Sequence, residues 1–215
     1  MSFHPIDLDT WPRKEYFDHY LNQVPCSYTI TSDLDITLLR RYHYRLYPTM
    51  LYFLAQKVNA HPEFRTGFNQ EGVLGVFDHM DPSYTIFHPS TETFSNIWTE
   101  YTSDYAEFCR RYDSDQKNYG MVEQFQAKPG EPEHVFPVSM IPWVTFSSFE
   151  LHLPQGNRYL FPIFTMGKFV EQNGSVLLPI SIRVHHAVCD GFHTARFLNE
   201  LQETLSQINP ERFPL

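Results

Sequence analysis

Residues 175–191 read SVLLPISIRVHHAVCDG, and this stretch decides the fold. Ser175 to Val188 has the β-branched, alternating character of a long strand. Gly191 opens a run to about Ile208 in which Phe192, Ala195, Leu198, Leu201, Leu205 and Ile208 recur at helical spacing. Upstream, Asn173-Gly174 is a two-residue hairpin turn, so Tyr159 to Val170 is expected to be the partner strand. A β-hairpin that feeds straight into an amphipathic helix points to mixed α and β structure.

Working outward, the same mixture recurs. Arg13 to Leu21 reads as a short helix after Pro12, and Cys26 to Thr31 as a strand. Ile36 to Ala60 has helical apolar spacing interrupted at Pro48, which predicts two helices or a kinked one. Thr66 to His79 reads as a hairpin turning at Gln70-Glu71-Gly72, and Ser83 to Phe87 as a further strand. Asp104 to Tyr119 reads as a polar helix, Gln126 to Glu133 as a loop, and the stretch from Trp143 onward as strongly β. Interspersed helices and antiparallel strands imply an α+β fold or an open-faced α/β sandwich. No repeat or linker divides the chain, so residues 1–215 are expected to form one domain.

Composition excludes several classes. The 215 residues are 42% hydrophobic and 16% aromatic, with 19 Phe and 13 Tyr, so a core and any pocket should be aromatic-rich. A net charge of −9 without a basic patch argues against nucleic acid and anionic membrane surfaces as partners. No stretch approaches a membrane span, and residues 1–13 lack a signal peptide's apolar segment. Cys26, Cys109 and Cys189 have no paired or metal-type spacing. The expectation is free thiols in a cytoplasmic protein.

The chemistry concentrates in His185-His186-Ala187-Val188-Cys189-Asp190-Gly191. Alternation puts Ile180, Ile182, Val184 and His186 on one face, and Ser181, Arg183 and His185 on the other. His186 therefore continues an apolar row and is expected to be the buried histidine, held neutral as a general base must be. Asp190 stands at the helix start. Read alone, the pair could equally be a packed histidine beside a helix cap. A metal reading with His185, His186 and Cys189 fails because adjacent strand residues point apart and no second ligand cluster accompanies them. No metal is expected.

The heptad resembles the HHxxxDG signature of chloramphenicol acetyltransferases, dihydrolipoamide acyltransferases and condensation domains. The run VHHAVCDGFH, residues 184–193, is similar to the chloramphenicol acetyltransferase form in particular. So are Pro142-Trp143-Val144 with Phe146-Ser147-Ser148-Phe149, and Phe164-Thr165-Met166-Gly167-Lys168. Thr91-Glu92-Thr93-Phe94-Ser95, His61-Pro62-Glu63-Phe64-Arg65, Tyr47-Pro48 and Trp11-Pro12-Arg13-Lys14-Glu15 extend the match over nearly the whole chain. Arg183 departs from the glutamine usual before VHH.

The resemblance implies a two-layer sandwich with a large mixed sheet and helices on one face. It implies direct acetyl transfer from acetyl-CoA to a chloramphenicol hydroxyl, with His186 as base and Ser148 as hydrogen-bond donor to the tetrahedral oxyanion. It implies a buried Asp190–Arg13 ion pair. It places Thr165, Phe94, Cys26, Tyr20 and Val24 in the antibiotic pocket and Phe169 near the cofactor. It also implies a homotrimer with sites between subunits. The alternatives are a relative that binds drug or CoA without catalysis, and an acyltransferase of the same fold with another acceptor.

Overall fold

The computed structural model describes residues 2–154 and 158–214. Its centre is strand β10, Ser175–His185, reached from β9, Val170–Gln172, through the expected turn. Asn173 and Gly174 both have positive φ, 51° and 83°, as a type I′ turn requires. β10 pairs antiparallel with β2, Ser27–Asp35, on one side and with β8, Ile163–Met166, on the other. The large sheet continues through β7, Val135–Met140, and β5, Asp81–His88, to β6, Thr93–Trp98. The β5–β7 and β7–β8 pairs are parallel and the rest antiparallel, so the sheet is mixed. A smaller antiparallel sheet joins β1, Phe3–Pro5, to β4, Leu74–Phe77, and β4 to β3, Thr66–Phe68.

The helices are α1, Lys14–Asp18, running into a π-helical turn over His19–Gln23; α2, Thr37–Arg41; α3, Leu46–Ala60; α4, Tyr105–Tyr119; and α5, Gly191–Ser206. The last four form a layer against the large sheet, with α3 packed on α4, α5 and β5, and α5 on β2. The fold is α+β, a two-layer open-faced sandwich. The core between the layers is aromatic, as the composition predicts: Phe53, Phe64, Phe108, Phe136, Phe164 and Phe197 are all fully buried.

Several expectations need correction. The break in the 36–60 stretch comes at His43, in the left-handed region at φ 61°, and not at Pro48. Pro48 sits in the first turn of α3, where a missing N–H removes no helical bond. In α5 the buried residues are Thr194, Phe197, Leu198, Leu201 and Leu205, while Phe192 is 70% exposed at the mouth of the helix. Tyr159 to Val170 is not one strand, and residues 141–154 form no strand at all. β6 and β7 escaped the sequence reading. β7 contains Pro137, which lacks the N–H a ladder needs and therefore reads as a strand breaker.

Candidate active site

β10 is buried on both faces. Ile180, Ile182 and Val184 face the helices, and Ser181, Arg183 and His185 are covered as well, at 1–3% exposure. The irregular chain around Phe149 supplies part of that cover. The Ser181 hydroxyl donates to the Phe149 carbonyl at 2.7 Å, and the Phe149 N–H meets the Thr31 hydroxyl at 3.3 Å. Arg183 donates to Ser27 Oγ at 2.9 Å and faces the Tyr159 carbonyl at 3.5 Å.

The expected order of burial is thereby reversed. His185 is the buried histidine, at 1% exposure, whereas the His186 side chain keeps 27%. Alternation fails because the strand ends at His185 and the chain turns. The Ala187 N–H donates to His185 Nδ1 at 3.2 Å, and the His185 carbonyl accepts from the N–H groups of Val188 and Cys189.

His186 is held by its surroundings. Its N–H donates to the Cys26 carbonyl at 3.0 Å, and its carbonyl accepts from Arg13 at 2.8 Å. Its ring stacks on Tyr20, 3.9 Å between centroids and 3° from parallel, and meets Tyr28 edge-on at 5.3 Å. Nδ1 lies 3.2 Å from Asp190 Oδ1, too far off line for a hydrogen bond, and is itself buried. The ring's accessible part is therefore the opposite edge, which carries Nε2.

Arg13 clamps the turn. It donates to both Asp190 carboxylate oxygens at 2.6 Å and, through Nε, to the Ala187 carbonyl at 2.8 Å. The pair, expected to be buried, is part-buried in the single chain, with side-chain exposures of 17% and 37%. Hydrogen bonds from Arg13 hold the Asp190 carboxyl below its ordinary pKa. Burial works against the Arg13 charge, but the hydrogen bonds and charge of Asp190 outweigh it and raise that pKa. The Asp190 N–H donates to His193 Nδ1 at 2.9 Å, the contact a capping box makes between the N-cap backbone and the third helical residue. Burial depresses the His193 pKa, which favours the neutral ring this bond needs.

The other predicted residues divide into two groups. Tyr20 and Cys26 lie against His186, and the 52%-exposed Val24 stands two residues before Cys26. Phe94 and the buried Thr165 line a separate cavity of about 600 Å³, together with Phe87, Trp143, Phe149 and Leu151. Ser148 is exposed and adjoins the cavity residue Phe149 in the chain. Phe149 is pinned at Ser181, five residues from His186 along the chain, or about 17 Å at roughly 3.3 Å per residue. Phe169 joins neither group and lies 4.9 Å beneath the Arg40 guanidinium. Sequence reading missed Tyr28 and His193, and it did not mark Phe87, Trp143 or Leu151 as pocket residues. His193 and Trp143 sit inside runs the motifs already covered, which was the available signal.

The sequence matches the chloramphenicol acetyltransferase family profile over residues 1–202. The chain belongs to that family. A chloramphenicol acetyltransferase of Clostridium perfringens is 54% identical over 206 residues, 96% of this chain and 100% of the relative. One from Vibrio anguillarum is 53% identical over 208 residues, 97% of this chain and 96% of the relative. A solved structure titled chloramphenicol acetyltransferase superposes with a TM-score of 0.80 at 21% identity, covering 95% of this chain and 100% of that one, which supports the fold. Among the described residues, no helix is long and apolar enough to cross a membrane. One group of three side chains that could ligate a metal occurs among them, and the sequence does not point to it: His79, Asp81 and His134.

Proposed function

We propose that this chain transfers the acetyl group of acetyl-CoA to a hydroxyl of chloramphenicol, as a cytoplasmic enzyme. The observation that carries this reading is a clamped HHxxxDG turn with an accessible imidazole edge, in a chain 54% identical to a named chloramphenicol acetyltransferase. His186 Nε2 takes the proton of the substrate hydroxyl. The oxygen attacks the thioester carbonyl carbon, and the charge develops on the carbonyl oxygen, where Ser148 Oγ donates a hydrogen bond. Collapse of the tetrahedral intermediate expels the CoA thiolate, which recovers the proton from His186. No acyl-enzyme forms and no metal takes part. Arg13 and Asp190 do not touch substrate; they position the turn.

Ser148 adjoins Phe149, which is pinned at Ser181, five residues back along the chain from His186, and this supports a homotrimer with its sites between subunits. One chain would supply His186 with Tyr20, Val24 and Cys26. Its neighbour would supply Ser148, Phe94, Thr165 and the aromatic cavity. The exposed apolar side chains agree with this, because Val24 lies on the first surface and Phe94 and Trp143 on the second. Phe169 is assigned to the CoA side.

The test is acetyl-CoA-dependent thiol release with and without chloramphenicol. Release that depends on the antibiotic and yields the O-acetyl product is expected. Release that is equal without it would redirect the search to another acceptor, and tight antibiotic binding without release would identify a non-catalytic binder.

A further inference from the structure

We propose that His79, Asp81 and His134 form a binding site for a first-row divalent cation, with zinc the best match to two imidazoles and one carboxylate. One ligand atom from each of these side chains lies within 4.8 Å of the others. His134 Nε2 and Asp81 Oδ2 are 3.3 Å apart. Zinc bonds of about 2.0–2.2 Å in a tetrahedron put neighbouring ligand atoms roughly 3.4 Å apart. The His79 and His134 rings are neighbours, 4.8 Å between centroids at 77°, so both imidazoles stand beside the carboxylate.

The site is built into the backbone. Asp81 opens β5, and its N–H donates to the His134 carbonyl at 2.9 Å, just before β7. Its Oδ1 accepts from the Tyr101 N–H at 2.8 Å, which orients the carboxylate and leaves Oδ2 toward His134. On the other side of His79, Arg65 donates to the carbonyls of Phe77 and Asp78. Asn59 pairs with both the N–H and the carbonyl of Met80, at 2.7 Å and 2.9 Å. The chain on both sides of His79 is thus fixed, and ligation requires side-chain rotation only. Such orientation of ligands by surrounding hydrogen bonds is what a metal site needs.

Charge and burial agree. Asp81 is 1% exposed, and a carboxylate so buried requires a cation or several donors. A divalent ion held by one carboxylate and two neutral imidazoles supplies that charge. Three protein ligands leave a fourth position for water, which the partial exposure of His79 allows. The site lies where the small sheet meets the large one and shares no residue with the His186 or Ser148 regions. Its expected role is to tie the β4–β5 connection to the start of β7.

The experiment uses the full chain freed of metal by a chelator and titrated with zinc chloride by calorimetry, with cobalt(II) chloride as the optical probe. One zinc per chain is expected, with the Tm raised by about 5–10 °C at a hundredfold excess over Kd. Cobalt should give the absorption of a nitrogen- and oxygen-ligated, low-symmetry ion. His79→Ala should weaken zinc binding by more than about 100-fold, the upper end of what losing a supporting partner costs, and leave acetyl transfer unchanged. His134→Gln is the second variant and should weaken it likewise. No zinc uptake by the wild-type chain at tens of micromolar overturns the proposal and leaves an ordinary Asp81–His134 pair. Equal affinity in wild type and His79→Ala overturns it too, by putting the metal elsewhere. Acetyl transfer, assayed separately, reports on the proposed function and not on this site.

Discussion

The turn carrying His186 and the segment carrying Ser148 are both anchored to β10, yet they are built differently. The turn is interlocked with its own chain. Arg13 reaches from the far N-terminal region to Asp190 and to the carbonyls of His186 and Ala187, and Tyr20 covers the imidazole. The Ser148 segment has no regular structure, and Ser148 and Trp143 are exposed within the protomer. One half-site is finished by intrachain contacts. The other presents polar and apolar groups to a surface that another copy can cover.

The largest expected effect breaks the finished half. His186→Ala should lower turnover by at least 10² to 10⁴-fold, the usual contribution of a general base, while the melt stays close to wild type. His185→Ala should do the reverse, because it leaves a buried Ala187 N–H unsatisfied at a cost of about 1–3 kcal/mol. Steady-state kinetics beside thermal melts separate the two. Equal kinetic losses in two folded variants would remove His186 from its role.

The next test joins the halves. Ser148→Ala alone should lose about 10² to 10³ in rate with little change in KM. Unfolded His186→Ala and Ser148→Ala chains, mixed equally and refolded, should recover about a quarter of wild-type activity. In a closed ring, one interface in four then pairs an intact His186 with an intact Ser148. Mixed trimers without recovered activity would mean that both residues act within one chain.

A smaller effect sharpens the account of the clamp. Since the Arg13–Asp190 pair is only partly buried, Asp190→Ala should cost about 1–3 kcal/mol, between the exposed and fully buried limits. The Arg13→Ala, Asp190→Ala double-mutant cycle measures the coupling. Strict additivity would show that the bidentate contact contributes nothing.

The smallest effect concerns pH. His193 has a folded pKa below its ordinary 6.5, so the unfolded chain binds the proton first as pH falls. Its contribution is therefore complete above about pH 6.5 and is lost as pH drops through 6.5 toward the depressed value. Melts of wild type and His193→Gln between pH 7.5 and 5.5 should diverge in that sense. Parallel curves would remove His193 as the source.

Much of the molecule was legible in the chain itself. The Asn173-Gly174 turn, the long strand after it and the helix from Gly191 follow from local rules: positive φ at two residues, β-branched alternation, and a 3.6-residue apolar period. The motif runs were enough to name the family and to pair Arg13 with Asp190 across 177 positions. Which histidine is buried was not legible. Alternation predicts burial only for a strand with one covered face, and the chain around Phe149 covers the second. The Pro137 strand and the irregular 141–154 segment were hidden for a related reason, because their places depend on neighbours remote in sequence. The convergence of His79, Asp81 and His134 depends on the parallel β5–β7 pairing, which no local spacing encodes. Local sequence determines backbone preference and side-chain chemistry. Burial, and the meeting of side chains tens of residues apart, are properties of packing, and only the tertiary structure decides them.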